Sequence, residues 1–267
     1  MVEMRQCRLS DREDIEDISS LIWEGEDYLS RVFDEWIDDG GFFVALRDGR
    51  VIGTAKITFL PGKVAWLEGL RVHPDYQGKG IGRELNDFIL NYAIELRQSG
   101  VINAIEFATY YKNKESLHMA KKAGFKTVKS FYVLNRKKEG PEKEPLIAIL
   151  SIGDLMSYKG YISAGWKFVK KTEESFKWVV ERNKAYSTGK YKFYTAGYEK
   201  TFILLNGSKE ALREYIPCFN FLSKGADTYD IMFPEEWAAI LHLFKKNGFT
   251  FWEEPEEPNI VILRYYN

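Results

Sequence analysis

Residues 72–83 read Val72-His73-Pro74-Asp75-Tyr76-Gln77-Gly78-Lys79-Gly80-Ile81-Gly82-Arg83. Glycines at 78, 80 and 82 remove side chains where a ligand must meet the backbone. Gln77 and Lys79 leave donors beside them. An apolar run, Val64 to Val72, leads into this turn, and an amphipathic helix pattern over 81–96 leads out. A turn between strand and helix aims several backbone N–H groups, and the positive end of the helix, at one spot. That arrangement suits a pyrophosphate. A second group sits upstream. Glu68 is flanked by Trp66 and Leu67, so apolar surroundings are expected to raise its pKa toward that of a base working near neutrality. Strand alternation puts Glu68 and Leu70 on one face. No Ser-His-Asp or Cys-His pattern stands out. The histidines His73, His118 and His242 have no partner at metal-ligand spacing, so no metal is expected.

The elements that must hold these residues follow from periodicity. A short strand is predicted over 4–9. Ser10, with Glu13 three positions later, reads as a capping box opening a helix with Ile15, Ile18, Leu21 and Ile22 on its apolar face. A second helix is predicted over 28–38. Strands follow over 42–46 and 51–60, joined at Asp48-Gly49, a hairpin signal. Pro61-Gly62 turns the chain into the Val64–Val72 strand. After the helix come a buried strand over 102–109, a helix capped by Asn113 and ended by Gly124, and a strand over 125–134. The order is β-α-α-β-β-β-α-β-α-β, a mixed α/β sheet. The segment Trp23-Glu24-Gly25-Glu26-Asp27-Tyr28 lies between the first two helices, and its acids suit a cationic partner.

Residues 136–145, Arg-Lys-Lys-Glu-Gly-Pro-Glu-Lys-Glu-Pro, read as a charged linker between a domain over 1–135 and a second over 146–267. The later half echoes the earlier one. Leu-His-Met-Ala-Lys-Lys-Ala-Gly-Phe at 117–125 returns as Leu-His-Leu-Phe-Lys-Lys-Asn-Gly-Phe at 241–249. Strands over 200–205 and 228–233 and a helix over 209–221 extend the echo. The turn before that helix is only Asn206-Gly207-Ser208, too short for a second phosphate site.

Composition narrows the classes. Of 267 residues, 45% are hydrophobic and 15% aromatic, ample for packed cores. Lys+Arg (38) and Asp+Glu (39) nearly cancel, which argues against binding to nucleic acid. Lys121-Lys122 and the basic residues of 136–138 read as solvated faces, with Lys121 or Lys122 a candidate neighbour of ligand phosphates. Cys7 and Cys218 read as reduced thiols. No stretch is long and apolar enough to span a membrane, and the first residues carry no signal-like apolar core, so a cytoplasmic chain is expected.

Residues 1–135 resemble the GCN5-related N-acetyltransferase (GNAT) superfamily. Its signature, [Gln/Arg]-x-x-Gly-x-[Gly/Ala], stands here as Gln77-Gly78-Lys79-Gly80-Ile81-Gly82. Its next motif, Asn followed eleven positions later by Gly-Phe, stands as Asn113 and Gly124-Phe125. The resemblance implies an α/β (α+β) fold, a mixed, mostly antiparallel sheet flanked by helices. The echo then implies a degenerate GNAT-like second domain. It implies acetyl-CoA as acyl donor, with pyrophosphate on the amides of Gly78, Lys79, Gly80, Ile81, Gly82 and Arg83. Pantetheine would run along Leu70, Arg71 and Val72, with Asn113 and Ser116 close by. The implied reaction is direct acetyl transfer in a ternary complex. The acceptor is a small-molecule or peptide amine, held near Glu26 and Tyr28. Glu68 is the implied general base. Many relatives carry a tyrosine, as general acid, where this chain has Ala120; Tyr110 and Tyr111 are the candidate substitutes, with solvent as the other proton source. The other class open to such a chain is a sensor that binds acyl-CoA without turnover. The expected state is a monomer or homodimer.

Overall fold

The fold is that of a computed structural model, which describes residues 2–25, 27–196 and 201–267. The chain forms two compact units, Met1–Phe107 and Ala108–Asn267. The first contains β1 (Glu3–Gln6), α1 (Arg12–Ser20), α2 (Leu29–Asp39), β2 (Phe42–Arg47), β3 (Arg50–Leu60), β4 (Val64–Val72), α3 (Ile81–Gln98) and the start of β5 (Ala104–Tyr110). Its sheet runs β1-β2-β3-β4-β5, antiparallel except for the parallel β4–β5 pair. Strand alternation sorts the faces. Phe42 and Val44 pack with Ile15, Ile18, Val32, Phe33 and Trp36 of α1 and α2. Phe43, between them, meets Phe88 and Tyr92 of α3, with ring centroids 5.4 and 5.5 Å away. The first helix begins one residue later than the predicted cap. Asp11, not Ser10, takes the Arg8 N–H at 2.8 Å, and Arg5 holds both Asp11 carboxylate oxygens.

The second unit carries α4 (Lys114–Ala123), β6 (Phe125–Lys137), β7 (Leu146–Ile147), β8 (Tyr161–Ala164), β9 (Lys167–Lys170), α5 (Glu173–Arg182), β10 (Ala185–Ser187), β11 (Lys192–Ala196), β12 (Thr201–Leu204), α6 (Lys209–Leu222), β13 (Thr228–Pro234), α7 (Leu241–Lys246), β14 (Phe249–Thr250) and β15 (Ile260–Tyr265). Its main sheet runs β15-β6-β13-β12-β11-β10-β7, with β14 also on β6; β8 and β9 form a hairpin of their own. The predicted echo is real in topology. β12 is antiparallel to β11 and parallel to β13, as β4 is antiparallel to β3 and parallel to β5. The core there is aromatic: Phe202 stacks on Phe219 at 4.2 Å and Phe233 on Phe244 at 4.4 Å.

The charged segment 136–145 does not separate the compact units. β6 runs on through Lys137 because it pairs with β13 down to Thr228. Asn220 of α6 then donates to the carbonyls of Glu139 and Pro141 at 2.8 and 3.0 Å, and Pro145 is buried. High charge predicted a solvated linker, and residues 137 and 139–144 are exposed; hydrogen bonds to its main-chain carbonyls, which composition does not show, fasten it to α6 as well. Among the described residues, no helix is long and apolar enough to cross a membrane.

Candidate active site

Two features of β4 build the site in the first unit. Pairing with β5 covers only Val64, Ala65 and Trp66, opposite Ala104, Ile105 and Glu106. Among the described residues, the registered pairing of β4 with β5 ends at Trp66, and an extended chain laid along residues 68–72 would run as a further strand does. The second feature is a bulge. Lys56 lies opposite Glu68 and Thr54 opposite Arg71, so Ala55 alone faces both Gly69 and Leu70. Gly69 sits at φ +67°, and a Cβ there would meet the Trp36 ring 2.5 Å away.

The bulge overturns one expectation. Glu68 shares its face with Arg71, three residues on, and not with Leu70, because one extra residue inverts the alternation. On that face Thr58 Oγ1 donates to Glu68 Oε1 at 2.5 Å. Arg71 grips Asp27 bidentately, Nε to Oδ2 at 3.2 Å and Nη2 to Oδ1 at 3.0 Å. The Asp27 side chain is fully buried. The Arg71 guanidinium also lies over the rings of Trp23 (4.3 Å) and Tyr28 (5.3 Å). Burial pushes the Tyr28 phenol up to about 12; Arg71 beside it works in the opposite sense, while Glu68 and Asp27 add to the rise. A carboxylate, an arginine–carboxylate pair and a protonated phenol therefore surround one spot beside β4. Sequence reasoning missed Asp27 and Thr58. The acidic segment between α1 and α2 contained the first signal; the second had none, because register decides which threonine faces Glu68.

The glycine turn is built as its spacing predicted. Gly80, at φ +84°, caps α3 without a side-chain hydrogen bond. The N–H groups of Ile81, Gly82 and Arg83, in the first turn, have no carbonyl within the helix to meet. Residues 77–80 are exposed. Gln77, expected as a ligand donor, instead staples the loop: its Nε2 donates to Val72 O at 3.0 Å. Lys79 Nζ donates to Asp75 O at 2.7 Å. His73 is buried, its Nδ1 accepting the Asp75 N–H at 3.2 Å, so the approach to the loop is braced from below. A hollow of about 500 Å³ lined by Val2, Arg47, Lys79, Ile81 and Glu84 opens beside the turn. Uncapped N–H groups at a helix start beside an exposed glycine loop are donors of the kind that a diphosphate takes.

The remaining predicted residues divide as follows. Leu70 and Val72 lie on β4 beyond Trp66, half-buried. Asn113, in the second unit, caps α4 with its side chain accepting the Ser116 N–H at 3.1 Å. Tyr110 also belongs to the second unit. It packs edge-on to Tyr111 and tilted against Trp252, with its hydroxyl buried beside the Glu253 carboxylate. Burial, then the Glu253 carboxylate, push its phenol well above the ordinary value. Glu26 lies outside the described residues. The later echo of the glycine turn is closed: Ser208 caps α6, and the side chains of Ile240 and Trp237 crowd Gly207.

This fold, with a glycine turn opening α3 behind a strand that pairs with β5 over only three residues, is similar to that of GNAT acetyltransferases. Residues 11–125 match the model of the "Acetyltransferase (GNAT) family". A mycothiol acetyltransferase of Thermomonospora curvata is 32% identical over 103 residues, 39% of this chain and 33% of that protein. A histidine N-acetyltransferase of Xenopus tropicalis is 38% identical over 81 residues, 29% of this chain and 25% of that protein. The chain thus spans about a third or less of the length of these curated relatives. Likeness of fold extends further. A GCN5-related N-acetyltransferase from Sphaerobacter thermophilus superposes with a TM-score of 0.65 at 12% identity, covering 98% of this chain and 95% of that one. A crystal structure from Thermoplasma acidophilum gives 0.67 at 16% identity, covering 99% and 100%.

Proposed function

We propose that the chain transfers an acetyl group from acetyl-CoA directly to a primary amine, with donor and acceptor bound together. The observation that carries this reading is the glycine N-cap at Gly80, which leaves the first-turn amides of α3 without a side-chain cap directly after β4, whose registered pairing with β5 covers Val64, Ala65 and Trp66. Amides of residues 78–83 hold the pyrophosphate. Leu70, Arg71 and Val72 offer main-chain groups to pantetheine. A strand N–H directed at the thioester oxygen stabilises the charge that develops there.

An alkylammonium has a pKa of roughly 10.4 and an α-ammonium roughly 8, so most acceptors arrive protonated. Glu68, aligned by Thr58, takes that proton. The amine nitrogen then bonds to the thioester carbonyl carbon, the C–S bond breaks, and the nitrogen's second proton passes through solvent to the departing thiolate, leaving a neutral amide and CoA thiol. The acceptor is a small-molecule or peptide amine. The relatives are named for different acceptors, mycothiol in one and histidine in another, which leaves the acceptor class to this chain's own residues near Tyr28 and the Asp27–Arg71 pair. The closed turn at Asn206-Gly207-Ser208 supports a second unit that takes no CoA of its own.

Glu68→Gln tests the base. General-base catalysis contributes about 10²–10⁴-fold, so turnover should fall by that order while CoA affinity holds. An unaltered rate and pH profile would remove Glu68 from the role. One observation favours a binding-only sensor: Ala120, buried, stands where relatives place a general acid. Release of thiol from acetyl-CoA over a panel of amines separates the two readings; binding with no release across the panel selects the sensor.

A further inference from the structure

Residues 146–156 of the second unit read Leu-Ile-Ala-Ile-Leu-Ser-Ile-Gly-Asp-Leu-Met, with no charge before Asp154. They open with β7, the end strand of its sheet. Ile147 and Ile149 are each 89% exposed, Met156 75%, Leu146 64% and Ile152 47%. Bare apolar edges of this kind invite pairing, and soluble proteins usually blunt them with lysine or proline. The interior neighbours are satisfied. Ala148 donates its N–H to Ala185 O at 3.0 Å, and Lys192 Nζ takes Ile149 O at 3.0 Å. By the period of two, Ile147 therefore turns its own N–H and C=O away from β10.

We propose that this face docks a second copy of the same chain, β7 against β7 about a two-fold axis. An antiparallel edge is self-complementary: each copy offers the other the same donor, acceptor and side chains. The five apolar residues expose on the order of 700 Å² per copy, close to the ~800 Å² per partner of a standard interface. The uncharged run over 146–153 also matches the charge-depleted core of homodimer interfaces. The pairing is independent of the acetyltransferase reading and needs no bound donor.

Sedimentation velocity over a wide concentration range tests it with the full chain. The wild type should be a dimer at micromolar concentration. Ile147→Lys with Ile149→Lys should weaken association by about 30-fold or more, the range of central interface residues, with an unchanged circular dichroism spectrum. In a second variant, Ile147→Cys, the introduced thiols should link copies under mild oxidant, since the native Cys7 and Cys218 are buried. A monomeric wild type overturns the proposal, whether or not the patch binds another protein or a membrane. A dimer untouched by the two lysines overturns it as well.

Discussion

Gly69→Ala strikes the bulge on which the site's arrangement depends. The residue sits at φ +67°, where an L side chain costs roughly 1–2 kcal/mol. The added Cβ also lands 2.5 Å from Cζ3 and 2.6 Å from Cη2 of Trp36. Trp36 is 1% exposed and held edge-on by Phe42 at 5.1 Å, so it has no free direction in which to move. Overpacking of that kind costs about 1–3 kcal/mol. The two contributions together predict a loss of about 2–5 kcal/mol. They separate in a double-mutant cycle. Trp36→Phe deletes the atoms struck, so the pair should be more stable than additivity by about 1–3 kcal/mol, while the backbone part stays lost. Urea unfolding followed by circular dichroism reads this as a lower midpoint at unchanged slope. A single-mutant loss below about 1 kcal/mol, or a strictly additive pair, would refute the reasoning.

Other outcomes follow from the same contacts. Gly80→Ala meets open space, so only its φ of +84° matters; calorimetry should show CoA bound about tenfold more weakly, about 1.4 kcal/mol, and unchanged affinity would contradict the amide cradle. Burial opposes the charge of Asp11, but the Arg5 guanidinium and the Arg8 amide outweigh it and hold its pKa below the usual carboxylate range. Its stabilisation is therefore complete above the unfolded value near pH ~3.9 and is lost as pH falls through the lower folded value. The gap in Tm between wild type and Asp11→Asn should be constant near neutrality and close in acid. Asp230 shows the reverse sign. Burial raises its pKa, against the hydrogen bonds that Asn135 and Trp252 donate to Oδ1. Its charge costs stability once pH rises past the unfolded value, so Asp230→Asn, which keeps that acceptor, should unfold at higher temperature at pH 7 and match wild type in acid. A lower Tm at neutral pH would show that the charge is wanted.

The order of elements through β6, the glycine turn, the Asn113 cap and the topological echo all stand in the sequence. Each depends on neighbours within a few residues: apolar period, a capping side chain, a residue that tolerates positive φ. The strand Val64–Val72 and the hairpin at Asp48-Gly49 are read directly from that local code. What composition misjudged was the segment 136–145, since its charges said nothing of the carbonyls that Asn220 would claim. Nor could alternation show that Glu68 faces Thr58 and shares its side with Arg71. That follows from one extra residue in β4, at a bulge where only a glycine at position 69 clears the ring of Trp36, thirty-three positions away in the chain. Local propensity determines which groups a strand carries. Only packing between distant segments decides the register, and register decides which of those groups meet.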